Sequence, residues 1–92
     1  MNKKFRRDYS VYCCPHVFQK ERPILLVIRD QDGAWQFLCG GNEDTDDCHH
    51  VGVGHLLDSD PSIEVMANLS IASGAEREEI SREWVYFELA SD

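Results

Sequence analysis

Four cysteines and four histidines are the residues of this chain whose types could do chemistry. Cys13, Cys14 and His16 stand together near the N-terminus, Cys39 and Cys48 follow, and His49, His50 and His55 lie within seven residues. Thiolate and imidazole are the donors that zinc takes in structural sites. A zinc or thiol site, if the fold builds one, is expected from Cys14, His16, Cys39, His50 and His55, with Cys48 available to complete it. The spacing is not that of a diagnostic site. No CxxC or HxxxH pair occurs, and only Cys14-x-His16 approaches a knuckle. The competing reading makes the histidines exposed loop residues and Cys39 a small buried hydrophobe. On that reading, which leads here, the chain needs no cofactor and zinc belongs to the alternative.

Other chemistries are less well supplied. Nucleophilic catalysis needs a thiolate with a base. Cys13 or Cys14 near His16 offers the residues without a recognisable nucleophile motif or a paired acid. No catalytic residue is assigned, and the chain reads as a non-enzyme. The acidic run Glu43-Asp44-Thr45-Asp46-Asp47 lacks the glycine and distal glutamate of an EF-hand. Gly52-x-Gly54 is a fragment of a phosphate loop, with Leu57 where a third glycine would stand and no lysine after it.

Charge says more about partners than about chemistry. The net charge is -8, unevenly placed. Residues 1–22 hold six basic groups against Asp8 and Glu21, a balance of +4, so the three basic and fifteen acidic groups of residues 23–92 leave -12 there. An acidic body disfavours nucleic acid and anionic lipid and suits a basic protein partner. Glu43, Asp44, Asp46 and Asp47 are the expected partner-binding residues. The plainer alternative is that these charges keep the domain soluble. The longest apolar run, Ile24 to Ile28, is far short of the roughly 20 residues that cross a bilayer. The basic start MNKKFRRDYS has no apolar segment after it, so a cytoplasmic location is expected.

These residues must be positioned by a small domain. Ninety-two residues suffice for one core, with residues 1–8 a flexible basic N-terminus and 9–92 a single α+β domain. The run ILLVIRD-QDG-AWQFLCGG predicts a β-hairpin over 24–30 and 34–39 at the centre of a mainly antiparallel sheet. A two-residue loop at Asp32-Gly33 would set Ile28 opposite Phe37 and Leu26 opposite Cys39. A three-residue loop would set Ile28 opposite Gln36. The first register is preferred because it gathers the large apolar side chains on one face.

Around the hairpin, Tyr9 to Phe18 reads as an edge strand broken at Pro15, and Cys48 to Gly54 as a weaker strand. Asp60 and Pro61 start a helix over about 61–69, whose Ile63, Met66 and Ala67 face the sheet, and Gly54 to Leu57 suits a short helical turn before it. Ser70 to Gly74 reads as a loop and Ala75 to Glu79 stays open between helix, strand and coil. Glu83 to Leu89 alternates as a terminal strand. The expected core is Leu26, Ile28, Trp35, Phe37, Leu56, Ile63 and Met66.

Several words of the chain occur together in a way that carries a resemblance: Cys14-Pro15-His16-Val17-Phe18, Arg22-Pro23, Trp35-Gln36-Phe37-Leu38-Cys39-Gly40, and Val51-Gly52-Val53-Gly54-His55-Leu56-Leu57 with Asp60-Pro61-Ser62. Over residues 13–69 the chain resembles a family of small bacterial proteins of unknown function. More loosely, it resembles immunity-protein-like domains, whose strands carry a Trp-x-Phe-Leu pattern before an acidic loop. The resemblance brings no activity, cofactor or catalytic residue with it. Its looser branch implies toxin neutralisation or another regulatory contact, which agrees with the non-catalytic interaction module for a basic partner expected from the charge.

Overall fold

The computed structural model describes residues 5–39 and 49–89. Within them the chain runs β1 (Ser10–Cys13), a helical turn α1 (Pro15–Phe18), β2 (Leu26–Arg29), β3 (Trp35–Leu38), β4 (His49–Gly52), α2 (Val53–Ser59), a 3-10 helix (Pro61–Asn68), β5 (Ser73–Glu76) and β6 (Val85–Glu88). The strands form one six-stranded sheet in the order β4-β1-β3-β2-β5-β6. Four of its five pairings are antiparallel and β1–β3 is parallel. The sheet is thus mixed but mainly antiparallel, and the fold is α+β. Among the described residues no helix is long and apolar enough to cross a membrane.

One face of the sheet carries the core. Val11 and Cys13 of β1, Val27 of β2, Phe37 of β3 and Ala75 of β5 are fully buried there, with Trp35 nearly so. Val53, Leu56, Ile63 and Met66 close over them from the two helices. The 3-10 helix begins where the sequence places a helix start. The Asp60 side chain accepts from Ser62 N, Pro61 occupies the first turn, and Ile63, Met66 and Ala67 are buried. Trp35 Nε1 donates to Met66 O at 2.9 Å and fixes this segment against β3. Trp35 is itself held by the rings of Phe5 and Tyr9, with centroids at 5.2 and 5.5 Å, and by the Arg29 guanidinium 4.0 Å from its centroid.

The hairpin is present, but in the register that sequence reasoning ranked second. Val27 pairs with Phe37, and Ile28 with Gln36. Its loop has three residues, Gln31 to Gly33, and the reason is local chemistry. Gly33 adopts φ +91°, its N–H donates to Asp30 O at 3.0 Å, and Asp30 N donates to Ala34 O at 3.0 Å. The Asp30 carboxylate also accepts from Asp32 N at 2.9 Å and Ala34 N at 3.2 Å. That is a turn ending in a left-handed glycine, the usual three-residue hairpin loop. In consequence Val27 takes the buried place expected for Leu26 and Ile28, which are half-buried on the other face.

Three further expectations are corrected. β1 is an interior strand between β4 and β3, not an edge strand. Pro15 does not interrupt a strand but opens α1, where a missing N–H costs nothing. The end of the expected loop Ser70–Gly74 joins Ala75 and Glu76 in β5, which pairs with both β2 and β6. Here packing outweighs the helical propensity of Ala75 to Glu79. Ala75 is buried opposite Val27, and at Gly74 a Cβ would stand only 2.5 Å from Phe87 Cζ, so the absent side chain makes room for the aromatic ring.

Candidate metal and thiol site

The parallel pairing of β1 with β3 joins two parts of the chain that sequence spacing keeps apart. Cys13 lies in register with Phe37, so the chain leaves both strands side by side, at Cys14 and at Leu38-Cys39. Cys14 N donates to Phe37 O at 3.3 Å and holds the two exits together. Cys14 then serves as the residue before α1, whose single turn is closed by Phe18 N to Cys14 O and Gln19 N to Pro15 O, both 2.9 Å. Glu21 N adds a bond to His16 O at 2.8 Å. His16 is therefore carried on a turn whose carbonyls, from Cys14 to Val17, all accept hydrogen bonds, with its Nδ1 facing Cys39.

Cys39 Sγ lies 3.7 Å from His16 Nδ1. With Cys14 Sγ, these ligand atoms all fall within 4.8 Å of one another. Cys14 and Cys39 are buried and His16 is half-buried. Cys13, Cys14 and Cys39 form no disulfide with one another. In a tetrahedral zinc site, bond lengths of about 2.3 Å to sulfur and 2.0–2.1 Å to nitrogen put donor pairs roughly 3.6–3.8 Å apart. The His16–Cys39 separation already has that length, and the wider spread closes with side-chain movements on the order of 1 Å. Three donors of the types that zinc takes thus lie close enough together to bind a metal, with a fourth position left to fill.

The other residues named from the sequence are placed elsewhere. His50 is exposed on β4, which lies across β1 from β3, and its ring stacks on Tyr12 with centroids 4.8 Å apart. His55 is exposed on α2, its ring 5.9 Å from that of Phe18. Neither belongs to the cluster. His49 stacks on Phe18 at 4.3 Å. Gly52 and Gly54 frame the start of α2, where Gly54 N donates to Arg7 O at 3.0 Å rather than opening toward a phosphate. Cys48 and the acidic residues Glu43, Asp44, Asp46 and Asp47 lie outside the described residues.

Sequence reasoning passed over Arg77. It is nearly buried, its Nη2 bonds Asp60 Oδ2 at 2.7 Å, and its guanidinium lies 4.1 Å from the Trp84 ring centroid. An arginine inside AEREE carries no mark of such a position, because its pairing partner is distant in sequence. No protein-family model matches the chain, and no curated protein or solved structure is found to be similar to it.

Proposed function

We propose that this is a small zinc-binding domain in which Cys14, His16 and Cys39 hold the metal at the joined exits of β1 and β3. The observation that carries the reading is the 3.7 Å approach of Cys39 Sγ to His16 Nδ1, with Cys14 Sγ alongside. The metal's role is structural. It would clamp α1 and the end of β3 together, reinforcing the bond from Cys14 N to Phe37 O and the contact of Cys39 Sγ with His16 Nδ1. These three residues supply three of the four positions that a structural zinc fills, and a further donor takes the fourth. Protein purified without chelator should carry stoichiometric zinc by elemental analysis, and Cys39→Ser should remove most of it. Metal-free protein whose melting temperature does not move on adding zinc would refute the reading, since a metal bound only by the folded state must stabilise it.

A second reading, a non-catalytic module for a basic protein partner, of the immunity or regulatory type, rests on the -12 balance of residues 23–92. The exposure of Val85 and Tyr86 on β6 favours it, because apolar side chains beside acidic ones give such a contact both affinity and selectivity. The two readings are compatible: a metal would brace β1 and β3, in the half of the sheet away from β6.

A further inference from the structure

We propose that the outer edge of β6 docks an extended basic segment of a partner protein by strand addition, which gives the interaction reading above its surface and its partner class. β6 ends the sheet, with β5 its one neighbour among the described residues. Leu89 N donates to Ala72 O at 2.9 Å, so residues 72 and 89 form a hydrogen-bonded pair. Such pairs alternate along an antiparallel ladder. Phe87 therefore bonds Gly74 and Val85 bonds Glu76, while Tyr86 and Glu88 direct their amides and carbonyls away from β5. An added strand uses groups of this kind for affinity, and flanking pockets for selectivity.

The two hollows beside this edge differ in chemistry. One, of about 390 Å³, lies between the 3-10 helix and β6, where Val65, Leu69, Tyr86 and Phe87 form its apolar half and polar side chains, Glu88 among them, the other. Val65 and Tyr86 are exposed there, so the stem of an incoming side chain has an apolar surface to cover while its polar end meets Glu88. The other, of about 470 Å³ at the start of β6, is lined by Glu76, Glu78, Glu83 and Val85, with Arg77 and Arg82. Arg77 is turned inward onto Asp60, and Arg82 faces Glu79 at 3.5 Å. Three carboxylates therefore outweigh the cations in that hollow, and a lysine or arginine of the incoming strand meets complementary charge. The same charge opposes a second copy of this acidic chain.

The test uses the full chain and a synthetic peptide of alternating lysine and valine, with its glutamate–valine counterpart as control. The lysine peptide should bind saturably, weaken with salt, and shift the backbone amide resonances of Tyr86 and Glu88 most. Tyr86→Pro should lower its affinity about tenfold or more, because proline removes an outward N–H while leaving the β5 ladder intact. Should that variant not fold, Glu83→Gln combined with Glu78→Gln should reduce affinity several-fold at low salt without touching the backbone. Binding whose resonance shifts avoid β6 would overturn this surface and leave the interaction reading standing. Failure of the peptide to bind at all would overturn the proposal, and the interaction reading falls as well if no basic protein is retained either. Dimerisation abolished by Tyr86→Pro would assign the edge to a second copy and refute the basic partner.

Discussion

Arg77 Nη2 and Asp60 Oδ2 lie 2.7 Å apart with almost no solvent contact, and this pair fastens three separate parts of the chain. Arg77 Nε and Nη2 both donate to Ile24 O, at 3.1 and 2.8 Å, just before β2. Its Nη1 donates to Ser62 Oγ at 2.9 Å, in the first turn of the 3-10 helix. Removing one member of a buried pair strands the other charge, which typically costs about 3–5 kcal/mol. Arg77→Met should destabilise the fold by that order in urea unfolding. A loss under about 1 kcal/mol would mean that water reaches Asp60 and replaces the guanidinium.

Phe37 is fully buried on β3 and faces Val27 across the hairpin. Phe37→Ala should cost about 3–5 kcal/mol by lost transfer energy and the cavity left behind. Ile28→Ala should cost clearly less, because Ile28 is only partly buried on the opposite face. Equal losses from the two, measured by denaturant unfolding, would restore the register that places Ile28 against Phe37.

The hairpin shows where sequence reasoning reached and where it stopped. Its two strands, the Asp60-Pro61 helix start and the terminal strand were legible because each is a local pattern of propensity and periodicity. The register depended on Asp30, whose carboxylate accepts from Asp32 N and Ala34 N and so selects a three-residue loop. Counting apolar residues on each face could not weigh that bond. The same limit governed the site: Cys14-x-His16 was visible as half a knuckle, but Cys39 joins it through a parallel β1–β3 pairing that no local signal announces. Arg77 and Asp60 likewise meet only through tertiary structure.

Gly33→Ala tests the loop directly. Its φ of +91° is one that a Cβ disfavours, and roughly 1–2 kcal/mol should be lost. Asp30→Ala should cost on the order of 1 kcal/mol by freeing two amides of the loop. Unchanged stability in Asp30→Ala alone would indicate a two-residue loop, in which Gly33 keeps a positive φ.

Gly74→Ala should be among the costlier small substitutions in the sheet. The new Cβ would stand 2.5 Å from Phe87 Cζ and 3.0 Å from the Val27 carbonyl oxygen. The ring can turn away, but the backbone oxygen cannot, and overpacking of this kind costs about 1–3 kcal/mol. The double variant Gly74→Ala with Phe87→Ala should recover part of that loss, since the clash with the ring is then gone. A double variant whose losses simply add would show that the ring does not lie over Gly74.

The proposed metal site makes a prediction that separates its members from the neighbouring histidines. A ligand at about a hundred times its Kd stabilises the folded state by about 2.7 kcal/mol. For a domain of this size each kcal/mol moves the melting temperature by roughly 4–8 °C, so saturating zinc should raise it by on the order of 10 °C or more. Cys14→Ser, His16→Ala and Cys39→Ser should each remove most of that rise. Buried Cys14 and Cys39 will also lower the starting value when replaced, so the quantity to compare is the difference between zinc-free and zinc-loaded protein for each variant. His50→Ala and His55→Ala should keep the full difference, because His50 stacks on Tyr12 and His55 stands exposed on α2. A zinc response that survives Cys39→Ser but vanishes with His50→Ala would move the metal to β4 and overturn the assignment.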